Sequence, residues 1–390
     1  MTRPLAGITV ISLEQAIAAP FCTRQLADLG ARVIKIERPG PGDFARAYDS
    51  RVRGLSSHFV WTNRSKESLT LDVKAPGAAP VMEGLLERAD VLVQNLAPGA
   101  AARLGVDYET LSARYPRLIV CDISGYGADG PYRDKKAYDL LVQSESGFVS
   151  VTGTADEGVK AGASVADIAA GMYAYSNILA ALIERGQTGR GKRIDVSMLE
   201  SMVEWMSFPM YYAFDGAEPP PRAGAAHATI YPYGPFPTGD GKTVMLGLQN
   251  EREWSVFCKT VLAEPELATH AAFATNSLRS ANRAQLRARI VEAFSHMTAE
   301  QVVQRLEEAK IANANVNTMA DVWHHPQLAA RERWRTVASP VGEIPALLPP
   351  GLTDARMDPI PDVGQHTDAI LTEIGCSAAQ VAQLHADGVV

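Results

Sequence analysis

The sequence lacks the residue patterns that mark several common classes of protein. Its four cysteines, Cys22, Cys121, Cys258 and Cys376, are scattered without a CxxC pair, which argues against a disulfide framework or a zinc site. HExxH, GxSxG and GxxxxGK[ST] do not occur, so metalloprotease, serine-hydrolase and P-loop interpretations lack their minimum residues. The net charge of −7 provides no global attraction for nucleic acid.

Long apolar runs are also missing from the sequence. No stretch approaches the roughly 20 apolar residues of a membrane span, and the N-terminal segment shows no secretory cleavage pattern. We therefore predict a cytoplasmic protein that binds no metal ion, no nucleic acid and no membrane.

Strand and helix signals alternate along the first part of the chain. Residues 7–14 and 31–37 are apolar and β-branched, and a helical segment lies between them, beginning at Pro20 and ending at Gly30. The alternation continues to residue 124, which predicts an α/β fold with a parallel sheet covered by helices. The first strand-to-helix turn, "LEQAIAAP", lacks GxGxxG, so the dinucleotide fingerprint of dehydrogenases is missing where it should occur.

The length of 390 residues suits two domains. We assign residues 1–214 to a Rossmann-like large domain, the Pro- and Gly-rich residues 215–227 to a linker, and residues 228–330 to a smaller α+β domain. Residues 331–367 are predicted to form an extended return linker, and residues 368–390 to form helices that pack on the large domain. Two long linkers on either side of a small domain suggest that these segments extend around a partner subunit.

One acid, Asp167, lies in the small and apolar stretch "AGASVADIAAGMYAY". The helix that follows has apolar residues at helical spacing and is predicted to end at Gly186. Asp167 is either a plain N-cap, the commoner role for such a residue, or a carboxylate placed for chemistry. Its small neighbours, including Ala166, Ala170 and Gly171, leave room for a ligand to approach the backbone, which a cap does not require.

Basic residues follow several of the predicted strands, namely Arg38, Lys66, Arg103, Arg133, Lys135 and Lys136. Ligands of α/β sheets bind at the carboxyl ends of the strands, so several cations there favour a polyphosphate ligand. Any one of them is equally well explained as a solvated surface residue. The histidines are weak candidates: His324 and His325 fit a helix end before Pro326, and His227 lies in the first linker.

Seven segments, in order over nearly the whole chain, resemble the family III CoA-transferases. They are "ADLGARVIKIERPGPGD", "NRSKESLTLDVK", "VLVQNLAPGAAARLG", "ISGYGADGPYRDKKAYD", "ADIAAGMYA", "TGRGKRIDVSML" and "GQHT". The family includes formyl-CoA transferase, carnitine CoA-transferase and α-methylacyl-CoA racemase. The resemblance implies a Rossmann-like large domain with a smaller domain, an interlocked homodimer, and acyl-CoA as a co-substrate with no permanently bound cofactor.

By this resemblance, Asp167 matches the catalytic aspartate of the family. Its carboxylate would attack the thioester of an acyl-CoA to give a mixed anhydride and CoA thiolate. The thiolate would then return to the aspartyl carbonyl, giving an aspartyl-CoA thioester that the acceptor acid resolves. An anhydride survives only where water is excluded. Backbone N–H groups from Gln15 to Ala18 are candidates to stabilise the oxyanion.

The resemblance also assigns binding residues. Those matched to CoA are Gln15, Ala16, Arg38, Leu71, Asp72, Asn95, Leu96, Arg103 and Lys136. Three of these, Arg38, Arg103 and Lys136, would hold phosphates, and residues 71–72 and 95–96 would surround the adenine. The candidates for substrate binding are Tyr138, Arg46, Arg222 and His227, of which the last three are donors for a distal carboxylate.

Departures from the family pattern narrow the substrate. Tyr138 stands where the racemases carry a histidine base, and a phenol is a poor base at neutral pH, which disfavours a 2-methylacyl-CoA racemase. Ile17 replaces a glutamine of formyl-CoA transferase, which disfavours an oxalate acceptor. The segments "AGAAHATIYPYGPF" and "GLQNEREW" most resemble the itaconate and citramalate CoA-transferases. We therefore expect transfer of CoA from succinyl-CoA to a C4–C5 dicarboxylic acid. The alternatives are a 2-methylacyl-CoA racemase, a formyl-CoA:oxalate-type CoA-transferase and a non-catalytic CoA-binding protein.

Overall fold

A computed structural model describes residues 3–390 and divides them into two compact units. The first unit contains the chain up to Phe148, Ala161–Met206 and Gln327–Val390; the second contains Val149–Lys160 and Ser207–Pro326. These bounds correct the predicted ones. Residues 149–160 and 207–227, expected in the large domain and the linker, belong to the second unit, because their contacts are made there.

The strands of the described chain are β1 Thr9–Leu13, β2 Arg32–Glu37, β3 Lys66–Thr70, β4 Val91–Gln94, β5 Ile119–Ser124, β6 Arg193–Ser197, β7 Tyr233–Pro237, β8 Thr243–Gly247, β9 Ala312–Asn315, β10 Trp334–Val337 and β11 Ile344–Leu347.

The helices are α1 Ala18–Asp28, α2 Ser57–Thr62, α3 Ala78–Leu86, α4 Ala100–Arg103, α5 Tyr108–Arg114, α6 Asp139–Glu145, α7 Phe148–Val151, α8 Val165–Thr188, α9 Met198–Trp205, α10 Ser207–Tyr212, α11 Glu251–Val256, α12 Asn276–Ala281, α13 Arg283–Ser295, α14 Ala299–Glu308, α15 Met319–Trp323, α16 Pro326–Ala330, α17 Thr367–Glu373 and α18 Ala378–Ala386. A π-helical segment, Phe257–Leu262, continues α11, and 3₁₀ turns occur at Phe44–Ala47, Phe214–Gly216 and Pro265–Thr269.

A six-stranded parallel sheet forms the centre of the first unit, in the order β3-β2-β1-β4-β5-β6. The strands are rich in Val and Ile and are buried on both faces, as expected where helices cover a parallel sheet. The predicted α/β fold with a parallel sheet is therefore confirmed. The strand order reverses between β1 and β4, and the crevice beyond the carboxyl ends at such a reversal is the usual place for a ligand.

Apolar side chains pack on both faces of the sheet. On one face, α1, α8 and α9 contribute buried residues such as Leu26, Ile178 and Met202. On the other face, α3 and α17 contribute Leu85 and Ile370. The C-terminal segment joins this second layer, so the last helices are part of the core of the first unit.

The close contact between α1 and α8 explains the small residues around Asp167. A Cβ atom at Gly171 would lie 2.7 Å from the carbonyl oxygen of Ala18 and 3.0 Å from the Phe21 ring, so only glycine allows this approach. Ala166 and Ala170 are fully buried. These small residues therefore serve the packing of two helices, rather than clearing space for a ligand as the sequence suggested.

Helix α8 is longer than predicted. It continues through Gly186 to Thr188 and ends at Gly189, whose left-handed backbone (φ 71°) provides the C-cap. By length and composition α8 could cross a membrane. It packs, however, against α1, α9 and the sheet and carries the buried Arg185, which identifies it as a core helix.

The second unit has a core of its own. Strands β7, β8 and β9 form an antiparallel sheet, against which α13 and α14 pack. Aromatic side chains fill the interior, including Trp254, Phe257 and Phe294. A separate hairpin of β10 and β11 lies in the first unit, inside residues 331–367, which were predicted to form an extended linker.

Candidate active site

The turn between β1 and α1 is fixed by side chains from two other loops. The backbone N–H of Gln15 donates to Oδ1 of Asn95 (2.9 Å), and Nδ2 of Asn95 donates back to the Gln15 carbonyl oxygen (2.9 Å). The N–H of Ala16 donates to Oδ1 of Asp43 (3.2 Å), and Ala16 has a left-handed backbone with φ 60°. This conformation is uncommon for a residue with a Cβ, so the turn is held by its partners.

These contacts correct one prediction. The N–H groups of Gln15 and Ala16 were candidates to stabilise an oxyanion, but both already donate to protein side chains. The N–H of Ala18 donates to the carboxylate of Asp167. The turn therefore uses these three donors to fix its own shape and the position of Asp167.

Asp167 is the third residue of α8 and does not cap that helix. Ser164 occupies the N-cap position, and Asp167 lies in the first turn, partly buried, facing the start of α1. Burial in the protein and, to a smaller extent, the negative charge of Asp139 raise the pKa of Asp167, the hydrogen bond from Ala18 lowers it, and the net result is a pKa of about 7. The plain-cap interpretation is thus wrong, and a carboxylate with a perturbed pKa at a helix start remains.

Asp139 is a residue that the sequence analysis missed. It is the first residue of α6, and its Oδ1 accepts a hydrogen bond from the backbone N–H of Ala166 (2.8 Å). Its Oδ2 accepts from Nε2 of Gln143 (2.7 Å). The available signal was its place in "AYD", directly after Tyr138, at the start of a helix that follows a strand.

Tyr48 is a second missed residue. It lies at the end of the 44–47 turn, half exposed, and its ring contacts those of Phe44 (5.7 Å) and His58 (5.3 Å). Burial raises the pKa of the Tyr48 phenol, and Asp43, Asp167 and Tyr138 raise it further, which places this hydroxyl in the electrostatic neighbourhood of Asp167. The half-exposed phenol of Tyr48 is therefore close enough to Asp167 to respond to its charge.

A buried cluster of charges lies beneath this turn. Nζ of Lys66 donates to Oε1 of Glu14 (2.6 Å), and Nζ of Lys35 lies between Glu14 (3.3 Å) and Asp43 (2.7 Å). All four side chains are buried, and the two acids balance the two lysines. Lys66, predicted as one of several surface cations for a phosphate, instead belongs to the structural support of the Gln15–Ala18 turn.

The residues matched to CoA lie at the carboxyl edge of the sheet. Arg38 is exposed directly after β2, Arg103 is exposed at the end of α4, and Lys136 is exposed before α6. Leu71 is buried after β3, and the neighbouring Asp72 donates its N–H to the carbonyl oxygen of Val389. Asn95 and Leu96 follow β4, partly buried.

An open cleft of about 650 Å³ lies beside several of these positions, at the ends of β2 and β3. Its lining includes Pro39, Gly40, Thr70, Gly364, Asp368 and the C-terminal Val390. The sequence motif "GQHT" thus lies on the wall of a cleft adjacent to Arg38 and Leu71. A cleft of this size suits part of a nucleotide-sized ligand.

Three of the four candidates for substrate binding make contacts with other groups of the protein. Arg46 makes a two-point ion pair with the buried Glu37 and stacks on Phe59 at 3.7 Å, so its donors are committed. Within the second unit, Arg222 donates to the carbonyl oxygens of Thr154 and Ala155 (2.8 Å each).

His227 is held in a similar way. Its ring stacks on Tyr233 (5.2 Å, 11°), and its Nδ1 accepts from the backbone N–H groups of Thr229 and Ile230. Arg46, Arg222 and His227 therefore have structural partners that disfavour them as the donors for a distal carboxylate. Tyr138, the fourth candidate, is 70% exposed next to Asp139.

Comparison with known proteins gives the class. The model of CoA-transferase family III matches residues 5–367. Since this match covers most of the chain, the protein belongs to that family and is a CoA-transferase, an enzyme with CoA thioesters as co-substrates.

Individual relatives agree with this assignment. Succinyl-CoA:glutarate CoA-transferase of Homo sapiens is 34% identical over 379 residues, covering 95% of this chain and 86% of that protein. Succinyl-CoA–D-citramalate CoA-transferase of Chloroflexus aurantiacus is 30% identical over 401 residues, covering 100% of this chain and 98% of that protein. The crystal structure of a CAIB/BAIF family protein from Brucella suis superposes with a TM-score of 0.84 at 33% identity, covering 96% of this chain and 100% of that one.

Proposed function

We propose that the enzyme transfers CoA from succinyl-CoA to a C4–C5 dicarboxylic acid, with Asp167 as the nucleophile. The acceptor class includes citramalate, itaconate and glutarate. The observation that carries the proposal is the Asp167 carboxylate, which is partly buried at the start of α8, bound by the Ala18 N–H, and more basic than an ordinary aspartate. The names of the human and Chloroflexus relatives support the donor and the acceptor class.

The proposed reaction passes through three covalent intermediates on Asp167, namely an anhydride, a thioester and a second anhydride. The ionised Asp167 attacks the succinyl thioester, the C–S bond breaks, and a mixed succinyl–aspartyl anhydride and CoA thiolate form. The thiolate attacks the aspartyl carbonyl and releases succinate, which leaves an aspartyl-CoA thioester. The acceptor carboxylate then attacks the aspartyl carbonyl of this thioester, the C–S bond breaks, and CoA thiolate and a second mixed anhydride, between Asp167 and the acceptor, form. The thiolate attacks the acceptor carbonyl of this anhydride, which gives the new acyl-CoA and releases the Asp167 carboxylate.

The raised basicity of Asp167 suits this chemistry. A carboxylate with a pKa of about 7 is a stronger nucleophile than one with an ordinary pKa, and about half of it is ionised at neutral pH. The kcat/KM for succinyl-CoA is therefore expected to fall below about pH 7, because that ratio reports titration of the free enzyme.

For the distal carboxylate of the acceptor, we propose the phenol hydroxyls of Tyr48 and Tyr138. Tyr48 responds to the charges of both Asp167 and Tyr138, Tyr138 directly precedes Asp139, and both side chains are about half exposed or more. Tyr48→Phe and Tyr138→Phe are each expected to raise KM for the dicarboxylate several-fold while leaving KM for succinyl-CoA within about twofold, since a neutral hydrogen bond contributes about 1 kcal/mol. Unchanged acceptor KM in both variants would remove the two hydroxyls from the acceptor site.

The acceptor is tested with a panel. Succinyl-CoA is incubated with C4 and C5 dicarboxylates, one at a time, and mass spectrometry identifies each CoA product. We expect transfer to at least one C5 dicarboxylate and none in Asp167→Ala. Transfer to monocarboxylates alone, or deuterium incorporation at the α-carbon of a 2-methylacyl-CoA without transfer, would contradict the proposal.

We further propose that the enzyme is a homodimer. Helix α10 and the turn after it carry a run of exposed apolar and aromatic side chains, namely Phe208, Met210, Tyr211, Tyr212 and Phe214. Apolar patches of this kind mark interaction surfaces, and a second copy of the chain suits the family resemblance. Light scattering should give twice the mass of one chain, and a monomer at micromolar concentration would contradict this. The cytoplasmic location stays a prediction.

A further inference from the structure

Helix α8 receives its N-terminal cap from another helix. Its own N-cap residue, Ser164, makes no side-chain hydrogen bond to the helix. The N–H of Ala166, the second residue of α8, donates instead to Oδ1 of Asp139 (2.8 Å), which lies 27 positions earlier in the chain. A carboxylate at this position satisfies an unpaired backbone donor and interacts favourably with the positive end of the helix dipole.

Asp139 is itself held in place. Nε2 of the fully buried Gln143 donates to its Oδ2 (2.7 Å), and Oε1 of Gln143 accepts from the N–H of Ala161 (2.9 Å). Gln143 and Asp139 thus accept hydrogen bonds from Ala161 and Ala166, at the two ends of the segment that leads into α8. Each carboxylate oxygen of Asp139 therefore accepts one N–H hydrogen bond, so its orientation is fixed.

This arrangement leaves Asp167 available. An acid in the first turn of a helix ordinarily bonds the unpaired N–H groups of that turn. Here Asp139 accepts the hydrogen bond from the N–H of Ala166, and the carboxylate of Asp167 accepts one from the N–H of Ala18 at the start of α1. The charge of Asp139 also opposes ionisation of Asp167, which makes the Asp167 carboxylate more basic.

We propose that Asp139 is a positioning residue for CoA transfer, which caps α8 in place of Asp167 and so keeps the Asp167 carboxylate free to attack the thioester. The inference rests on the proposed role of Asp167 as the nucleophile. Asp139 does not itself touch the reacting atoms in this account. It acts through the backbone of α8 and through its negative charge.

The groups around Asp167 allow the charge of Asp139 to be tested. The first turn of α6 contributes Asp139, and Tyr138 precedes it. The 44–47 turn contributes the phenol of Tyr48, and α1 contributes the N–H of Ala18. Of these, Asp139 supplies the negative charge, so its removal lowers the pKa of Asp167 and moves the acid limb of kcat/KM to lower pH.

The experiment compares three variants of the full-length enzyme with the wild type. Asp139→Asn keeps an oxygen acceptor for Ala166 and removes the charge. Asp139→Ala removes both the acceptor and the charge. Gln143→Met removes the hydrogen bonds of Gln143 to Asp139 and Ala161 but leaves the charge of Asp139 in place. For each, kcat and KM for succinyl-CoA are measured from pH 5.5 to 9, and the thermal midpoint is recorded.

We expect the acid limb of Asp139→Asn to move down by about one pH unit, with kcat above that limb reduced about three- to tenfold because the nucleophile is less basic. Asp139→Ala should lose about 100-fold or more in kcat with KM for succinyl-CoA within about threefold, and Gln143→Met should keep the wild-type acid limb.

An acid limb in Asp139→Asn that coincides with that of the wild type would overturn the proposal, whatever happens to kcat. A loss of kcat that simply parallels the fall in thermal midpoint across all three variants would also overturn it, because that result would show a purely structural role. Failure of the proposed function is recognised separately, since Asp167→Ala would then retain its transfer activity.

Discussion

The side-chain amide of Asn95 and the backbone of Gln15 form two reciprocal hydrogen bonds, each of 2.9 Å. They join the loops after β1 and β4, the two strands between which the sheet order reverses. In open α/β sheets a ligand binds at this reversal. Here the side chain of Asn95 links the two loops on either side of the crevice. The turn that leads to Ala18, and hence to Asp167, depends on this link.

Replacing Asn95 tests the link directly. Asn95→Leu leaves the N–H and the carbonyl of Gln15 without partners, so we expect a loss of about 1–3 kcal/mol in unfolding free energy and at least about tenfold in kcat/KM. Denaturant unfolding and steady-state kinetics measure the two effects. Asn177→Leu is the matched control, because Asn177 is exposed on α8 and bonds only a carbonyl of its own helix. Equal losses in both variants would contradict the role given to Asn95.

The raised pKa of Asp167 predicts how stability depends on pH. An ordinary aspartate ionises near pH 3.8, whereas Asp167 in the folded protein keeps its proton up to about pH 7. Between these values the folded state binds more protons than the unfolded state, so this group makes stability fall as the pH rises. Above about pH 7 the loss is complete.

Asp167→Asn removes this effect. We expect the variant and the wild type to have similar unfolding free energies near pH 4, and the variant to be more stable at pH 8 by roughly 1–4 kcal/mol, since one pKa unit corresponds to about 1.4 kcal/mol. Urea unfolding at the two pH values measures the difference. A variant that is less stable than the wild type at pH 8 would show that Asp167 is stabilised as an ordinary carboxylate.

The buried charge cluster predicts a large effect on stability. Lys35 is completely buried between Glu14 and Asp43. Lys35→Met leaves two buried carboxylates with reduced compensation, which costs about 3–5 kcal/mol. Lys192→Met is the control, because Lys192 makes an exposed ion pair with Glu184 at 2.8 Å, and such pairs contribute at most about 1 kcal/mol. Losses below 1 kcal/mol in both variants would contradict the structural role of the cluster.

Arg38 tests the predicted phosphate contacts. Arg38→Ala is expected to raise KM for succinyl-CoA about tenfold, with less effect at high salt, and to leave kcat nearly unchanged, since a phosphate contact binds substrate and transition state alike. Arg190→Ala is the control, because Arg190 is exposed between α8 and β6, at the amino ends of the strands. An unchanged KM in Arg38→Ala would remove this cation from the CoA site.

Local sequence signals predicted the elements that depend on local patterns. The alternating strands and helices up to β5 are visible because a buried parallel strand is a continuous apolar run. Asp167 stands out because it is an acid among small residues. The role of Asp139 was not predictable in this way, since its cap on α8 is a tertiary contact between positions 27 residues apart.

Burial explains two further differences between sequence and structure. Lys66 has the appearance of a surface cation in the sequence, but Glu14, 52 positions away, neutralises it inside the protein. The small residues around Asp167 suggest an open ligand site, but the close approach of α1 at Gly171 accounts for them. In both cases the contact that determines the role of the residue is made by a part of the chain distant in sequence. The local sequence pattern therefore does not predict it.

The central claim is that the Asp167 carboxylate carries the transferred group, and covalent trapping tests it most directly. The enzyme is mixed with succinyl-CoA, treated with borohydride or hydroxylamine, digested, and analysed by mass spectrometry. The account predicts that the modified peptide contains residue 167, with the aspartyl side chain reduced or converted to a hydroxamate, and that Asp167→Asn yields none. Modification at another residue, or full transfer activity in Asp167→Asn, would contradict it.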